Sequence, residues 1–399
     1  MADLSILGQV ALGYSPFIDR NRAVIATRLG VFPLSSEAAL DAAGLLSAIG
    51  EVWPADGPRV SLNLASEALL IDVLNAKPAN NLMIEVPSFM AGEAAHAGAI
   101  LAAFANGNSL LLKGRPLRAL PREILPCFKF SIIDLGDDRR VDAMVPQGVT
   151  RSISVVQAGV RSVADMEKSF ARGSVAVLGW PIDDAVTVAA ERDKGKTPTA
   201  LDVIVRLIHQ VDGEEPVAKL ENTLKRDPTL AFKLLRLINS PAFGVQVEVG
   251  SLGHAIMLLG YKRFKRWLAL LLATASKDAN LKPLLFASVR RGLLMEELVR
   301  ATADEEMRND IFICGVFSLL DRLFHQPFSD LMASIPVSAR VFQALVKGQG
   351  PFAPYLSLVN ALEDGSPFDL RAASESLMMG VQEINRALLR ALTAAAQLD

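Results

Sequence analysis

The chain has 399 residues, of which 51% are apolar and 21% charged, and a formal net charge of -2. That length accommodates two or three domains with ordinary cores, and the composition excludes a disordered chain. The near-neutral balance supplies no overall basic field, so nucleic acid is not an expected partner.

Cys127 and Cys314 lie far apart in apolar contexts. A disulfide framework or a zinc site needs more, so they read as buried thiols in a reducing cytoplasm. The start, Met1-Ala2-Asp3-Leu4, has no positive region before its apolar run and does not read as a secretory signal. The densest apolar stretch, Trp267 to Ala275, is too short to span a bilayer. These features predict a cytoplasmic protein with no membrane partner.

Residues 1–184 alternate apolar strands with Ala-rich stretches. Strands are predicted at Gly8–Leu12, Arg22–Thr27, Val60–Leu64, Leu82–Val86, Ser109–Leu112, Phe130–Asp134, Ile153–Val156 and Val175–Leu178. The first two are linked by the turn-like Asp19-Arg20-Asn21. Helical patterns lie at Ser66–Leu74, Gly92–Phe104 and Val163–Phe170. Such alternation predicts an α/β domain, either a (β/α) barrel or an open parallel sheet. The region is short for an eight-fold barrel, so its helices must be short or some must be missing.

The pattern then changes. Residues 185–198, with Glu191-Arg192-Asp193-Lys194-Gly195-Lys196 and Thr197-Pro198, read as a linker. From 199 to 399 helix patterns dominate. Asp227-Pro228 opens one helix, with Asp as N-cap and Pro at the first helical position. Leu230, Leu234, Leu237 and Ile238 follow at helical spacing, and Asn239-Ser240-Pro241 closes it. Ser251 starts another. Further helices are predicted at Leu284–Ala301, Ile311–Phe324, Val337–Val346 and Val381–Ala396.

The run from Asp227 to Ser240, followed by Gly250-Ser-Leu-Gly-His-Ala-Ile-Met-Leu-Leu-Gly260, resembles the signature of the HDOD family. Asp227, Pro228, Asn239, Ser240 and Gly260 carry the likeness. Phe312 to Asp321 resembles the family's later helix. The resemblance implies an all-α domain related to HD phosphohydrolases but lacking their metal-binding His-Asp pair. None of His96, His209, His254 and His325 is followed by Asp, so no di-metal site is expected. His254 reads as a surface residue at a helix start, and Asn239 and Ser240 as organisers of an inter-helix turn. Lys262, Arg263, Lys265 and Arg266 form a candidate interaction patch. The alternative is a solvated helix face whose aliphatic stems cover the core.

Gly13-Tyr-Ser-Pro-Phe-Ile-Asp-Arg20 is similar to the opening of EAL domains, which implies a TIM-like (β/α) barrel, here with reduced helices. Active members of that family cleave cyclic di-GMP with two divalent metals, which require several anionic oxygen ligands. By this resemblance Asn63, Glu85 and Asp134 occupy retained metal-ligand positions. The signature Glu falls on Arg28, the paired Asp-Asp on Lys113-Gly114, two further carboxylates on Ala158 and Arg161, and a late Gln on Leu178. Cations at several positions reverse the local charge. The survivors could instead form an ion-pair cluster, with Glu85 pairing Arg28 or Lys113.

The resemblance therefore implies a non-catalytic signalling scaffold needing no metal or cofactor, whose partners are other, unidentified signalling proteins. A non-hydrolysing cyclic di-GMP receptor is the alternative, supported by Arg28, Lys113, Arg115 and Arg161. An active phosphodiesterase is the third reading.

Overall fold

A computed structural model describes residues 5–35, 39–138, 153–183, 199–240, 249–273, 281–324, 326–335 and 337–396. The expected linker at 185–198, Pro241 and His325 lie outside these residues. The strands are β1 (Val10–Asp19), β2 (Val24–Pro33), β3 (Arg59–Leu64), β4 (Leu82–Pro87), β5 (Ser109–Lys113), β6 (Phe128–Asp134), β7 (Ser154–Ala158) and β8 (Ala176–Leu178). Among them lie α1 (Ala42–Val52), α2 (Glu67–Asn75), α3 (Ser88–Ala91), α4 (Ala94–Ala105) and α5 (Val163–Ala171). Helices then follow without strands: α6 (Thr199–Asp212), α7 (Val217–Leu224), α8 (Pro228–Ile238), α9 (Leu252–Ala273), α10 (Lys282–Leu298) and α11 (Glu305–Phe317). The remainder are α12 (Leu320–Phe324), α13 (Phe328–Ser334), α14 (Ala339–Lys347), α15 (Ala353–Asp364), α16 (Pro367–Leu377) and α17 (Val381–Ala396).

The chain divides into two compact units. The first joins Met1–Ala185 with Lys282–Phe286 and Pro354–Asp399; the second comprises Val186–Leu281 and Ala287–Ala353.

In the first unit, β1 to β8 close a barrel in sequence order. It is mixed. β1 runs antiparallel to both β2 and β8, while β2 through β8 pair in parallel. The TIM-like expectation is corrected to that extent, and the cause is local. A parallel pair needs a crossover of a dozen or more residues, whereas β1 and β2 are joined by a tight turn. Asp19 Oδ1 accepts from the amides of Asn21 at 2.8 Å and Ala23 at 2.9 Å, folding the chain back. The outer helices are reduced, as expected: residues 114–127, between β5 and β6, carry only a 3₁₀ turn at Leu125–Cys127.

The C-terminal helices belong to this barrel unit. Asn385 of α17 is fully buried. Its amide donates to the carbonyls of Leu7 and Val10 at 2.8 and 2.7 Å, and its Oδ1 accepts from Leu12 N at 3.2 Å. Gly13 meets the turn after α15 so closely that a Cβ there would lie 2.8 Å from Gly365 Cα. A helical domain continuous to the C-terminal helices is therefore not what the contacts give, because α16 and α17 pack against β1 and cluster with the barrel unit.

The second unit is helical. Asp227 caps α8, accepting from Leu230 N at 3.1 Å. The side chain of Asn239 donates to Val249 O at 3.0 Å and accepts from Val249 N at 2.8 Å, clamping the ends of the α8–α9 connection. Gly260, at φ 73° and ψ 159°, breaks α9 into two pieces. No atom lies within 4 Å of a Cβ built there, so the backbone conformation rather than space calls for glycine. The single helix expected over Ile311–Phe324 is two. Ser318 Oγ turns back to Gly315 O at 2.7 Å, where α11 ends. Cys127 and Cys314 are both buried free thiols, and burial together with nearby Asp310 pushes Cys314 up to about 12.

Asn385→Leu strips three buried backbone groups of partners at similar side-chain volume. We expect a loss of about 3 kcal/mol in urea denaturation; a loss below roughly 0.5 kcal/mol would show that these bonds do not hold α17 on the barrel.

Candidate functional site at the strand ends of the barrel

Side chains along a strand alternate between two faces. Phe17, Ala26, Met83, Leu111, Ile132, Val156, Ala158, Ala176 and Leu178 make one apolar layer. Arg28, Glu85 and Lys113 lie two residues beyond Ala26, Met83 and Leu111, towards the C-terminal strand ends. The same parity therefore turns them inward, above that layer.

There they are paired. Glu85, at 1% exposure, accepts from Arg28 Nη2 at 2.5 Å and from Ser61 Oγ at 2.8 Å. Lys113 Nζ donates to Asn63 Oδ1 at 2.6 Å. Burial pushes the Lys113 pKa below its ordinary value; the adjacent Arg28 adds to this and Glu85 partly opposes it. Arg28 Nε is buried without a hydrogen-bond partner among the described residues. Two cations thus face one carboxylate in a poorly solvated place.

This arrangement does not fit a pair of divalent cations. Such ions need several anionic oxygens free to converge. Here the Glu85 oxygens are engaged by Arg28 and Ser61, and Asn63 Oδ1 by Lys113. Asp134 turns elsewhere: it is exposed and its Oδ1 accepts from Gly136 N at 2.9 Å, capping the turn after β6. Among the described residues no three His, Cys, Asp or Glu side chains gather as metal ligands.

The other positions separate as well. Gly114 leaves β5 at φ 84°, its amide donating to Ile132 O at 2.8 Å. Ala158 and Leu178 belong to the apolar layer. Arg161 is 63% exposed and bridges Asp183 at 2.9 Å and Asp364 at 3.0 Å. Those two carboxylates raise its pKa. Arg115 is exposed. Ser61 and Asp364 were not singled out from sequence. Ser61 had a signal, because it shares a strand face with Asn63 two residues on.

In the helical unit the candidate basic patch divides. Lys265 pairs with Asp212 at 2.5 Å, and Arg266 grips Glu296 with both terminal nitrogens at 2.6 Å while lying 3.6 Å over the Phe312 ring. Lys262 and Arg263 stay exposed. His254 is exposed near the start of α9, and His96 contacts Glu67 and Glu93.

Over residues 197–328 the sequence matches the HDOD domain. This segment is an HDOD domain. Two curated proteins are similar to parts of the chain. One is the uncharacterized protein YuxH of Bacillus subtilis, 29% identical over 167 residues, covering 40% of each chain. The other is the cyclic di-GMP phosphodiesterase CdgJ of Vibrio cholerae, 24% identical over 178 residues, covering 45% of this chain and 41% of CdgJ. The chain thus spans about two fifths of the length of the curated relatives it matches. Two solved structures also align. PaMucR phosphodiesterase in complex with c-di-GMP gives a TM-score of 0.32 at 17% identity, over 43% of this chain and 94% of that one. A standalone EAL protein from Vibrio cholerae O395, c-di-GMP bound, gives 0.31 at 15%, over 43% and 89%. Among the described residues no helix is long and apolar enough to cross a membrane.

Glu85→Gln removes the carboxylate that pairs with Arg28 and lies near Lys113. We expect a loss of about 3 kcal/mol, because Arg28 is left charged and uncompensated, and partial recovery in the double variant Arg28→Met with Glu85→Leu. Equal stability of Glu85→Gln and wild type in denaturant would contradict the pairing. Lys113 gives a pH signature. With its folded pKa lowered, the unfolded chain binds more protons between the folded and ordinary values. Stability contributed at this site therefore rises with pH through that window. Wild type should gain on Lys113→Met as pH is raised from 7 towards 10; a constant difference would contradict it.

Proposed function

We propose that the chain is a non-catalytic signal-transduction scaffold, in which an EAL-like barrel without metal-dependent phosphodiesterase activity accompanies an HDOD domain that docks other signalling proteins. One observation carries this reading: the strand-end oxygens that resemble metal ligands, on Asn63 and Glu85, are each held by a cation of the same chain. Loading a divalent ion there would require displacing Lys113 and Arg28 and leaving both buried without partners, a cost of several kcal/mol per ion. The HDOD resemblance supports docking rather than chemistry, since no His-Asp dipeptide occurs.

A second reading is a cyclic di-GMP receptor that does not cleave. Its support is the excess of Arg28 and Lys113 over Glu85 near the strand ends. Arg161 no longer counts towards it, being engaged by Asp183 and Asp364.

The deciding experiment titrates cyclic di-GMP into the full chain with and without Mg²⁺ or Mn²⁺, while assaying the same samples for hydrolysis. The scaffold reading expects neither binding heat nor turnover. Saturable binding without turnover, weakened by Lys113→Gln, would replace it with the receptor reading. Steady turnover abolished by Glu85→Ala would overturn both.

A further inference from the structure

The HDOD domain contains a cavity of about 570 Å³. That is within the size range of small-molecule sites. One wall is α9 beyond the Gly260 break, where Arg263, Arg266, Trp267 and Leu270 recur at the spacing of a single helix face. The facing wall is the first part of α11, where Glu305, Arg308 and Asn309 do the same.

The charges inside are not equivalent. Arg266 is spent: Glu296 takes both of its terminal nitrogens and Phe312 takes its face. That pair is a neutral, rigid strut in the wall. Arg263 and Arg308 make no ion pair or hydrogen bond with the described residues, and Arg308 Nε is buried without an acceptor. A buried donor without a partner is costly, and the cost is recovered by an oxyanion that enters and accepts from it. Two guanidiniums without partners among the described residues, each able to take a phosphate oxygen, line the site.

The rest of the lining is of a different kind. Leu237, Leu259 and Leu270 with Trp267 offer an apolar surface suited to a flat ring. Glu305 and Asn309 add an acceptor and an amide that can meet ring N–H and N groups. Glu305 also argues against a polyanion, because a continuous phosphate backbone would run into it. Arg263, half of what remains unpaired in the candidate basic patch, therefore borders an open recess with its own apolar lining.

We propose that this cavity binds a small organic phosphate bearing a flat ring, of the nucleoside monophosphate class. Arg263 and Arg308 hold the phosphate, and the leucines and Trp267 hold the ring. The proposal is independent of the barrel and of whether the barrel binds cyclic di-GMP.

The test is calorimetric titration of the full chain with AMP, ribose 5-phosphate and inorganic phosphate as probes. The expected result is saturable AMP binding, with ribose 5-phosphate and phosphate weaker because they leave the apolar wall empty. Arg308→Gln and Arg263→Gln are each expected to weaken AMP binding about tenfold or more, as loss of one charge-assisted contact does. Lys113→Gln, in the barrel, is expected to leave it unchanged. Both arginines are partly or fully exposed at the cavity, and unliganded melting curves matching wild type confirm folded variants. No saturable AMP binding at millimolar concentration would overturn the proposal. So would AMP binding that survives both arginine substitutions, or that falls with Lys113→Gln, since either places the ligand elsewhere. Ribose 5-phosphate binding as tightly as AMP would overturn the assignment of the ring.

Discussion

A carboxylate as deeply buried as Glu85 cannot be left alone inside a barrel, because desolvation would drive it to neutrality or drive the fold apart. The first unit resolves this with its own cations. Arg28 from β2 reaches across to β4, and Ser61 from β3 takes the second oxygen. With both Glu85 oxygens engaged, Lys113 on β5 donates instead to the amide oxygen of Asn63. The five members come from four adjacent strands, Ser61 and Asn63 both from β3, so the cluster also ties together β2, β3, β4 and β5. A polar layer of this kind adds little net stability over an apolar one. What it does is engage both oxygens of Glu85 and the amide oxygen of Asn63 within the chain.

The same logic of internal satisfaction extends to the barrel's rim. β1 is bound on both edges by strands, yet its first residues and the turn before it still carry unpaired backbone groups. Asn385 supplies them from the other end of the chain. Arg161 does likewise on the rim, gathering Asp183 and Asp364. With its side chain largely exposed, that bridge is screened and weak compared with the Asn385 contacts. The C-terminal helices thus meet β1 through a buried amide, the approach of Gly13 to Gly365 and the Tyr14 hydroxyl's bond to Glu363, beside the apolar burial of Ile384, Leu388 and Leu392, with the exposed ion bridge at the rim as a weaker tie.

How much of this was legible in the sequence follows from the range of each signal. The strands were readable because apolar runs such as Leu82–Val86 and Ser109–Leu112 are local. The inward direction of Arg28, Glu85 and Lys113 was readable because strand parity is fixed at two. The turn at Asp19 was readable in composition, but its consequence, an antiparallel β1 that makes the barrel mixed, is a matter of direction that hydrophobicity does not encode. Ser61 was passed over because a serine in a strand is unremarkable until a buried carboxylate stands opposite. The assignment of residues 354–399 to the barrel unit was least legible: it rests on contacts such as those of Asn385 and Gly365, whose partners lie near the other end of the chain.

In the HDOD domain the signature residues prove to be conformational rather than chemical. Asp227 starts a helix, Asn239 closes the α8–α9 connection with a pair of backbone bonds, and Gly260 permits a backbone turn that splits α9. Leu259 ends the piece before that break, and Arg263, Arg266, Trp267 and Leu270 lie in the piece after it; all five line the cavity. Positions 259, 263, 266 and 270 are spaced as one helix face at about 100° per residue, so the shared lining follows from the spacing and does not require the break. The signature residues thus set backbone turns, while the side chains that give the cavity its unpaired charge, Arg263 and Arg308, lie outside the signature.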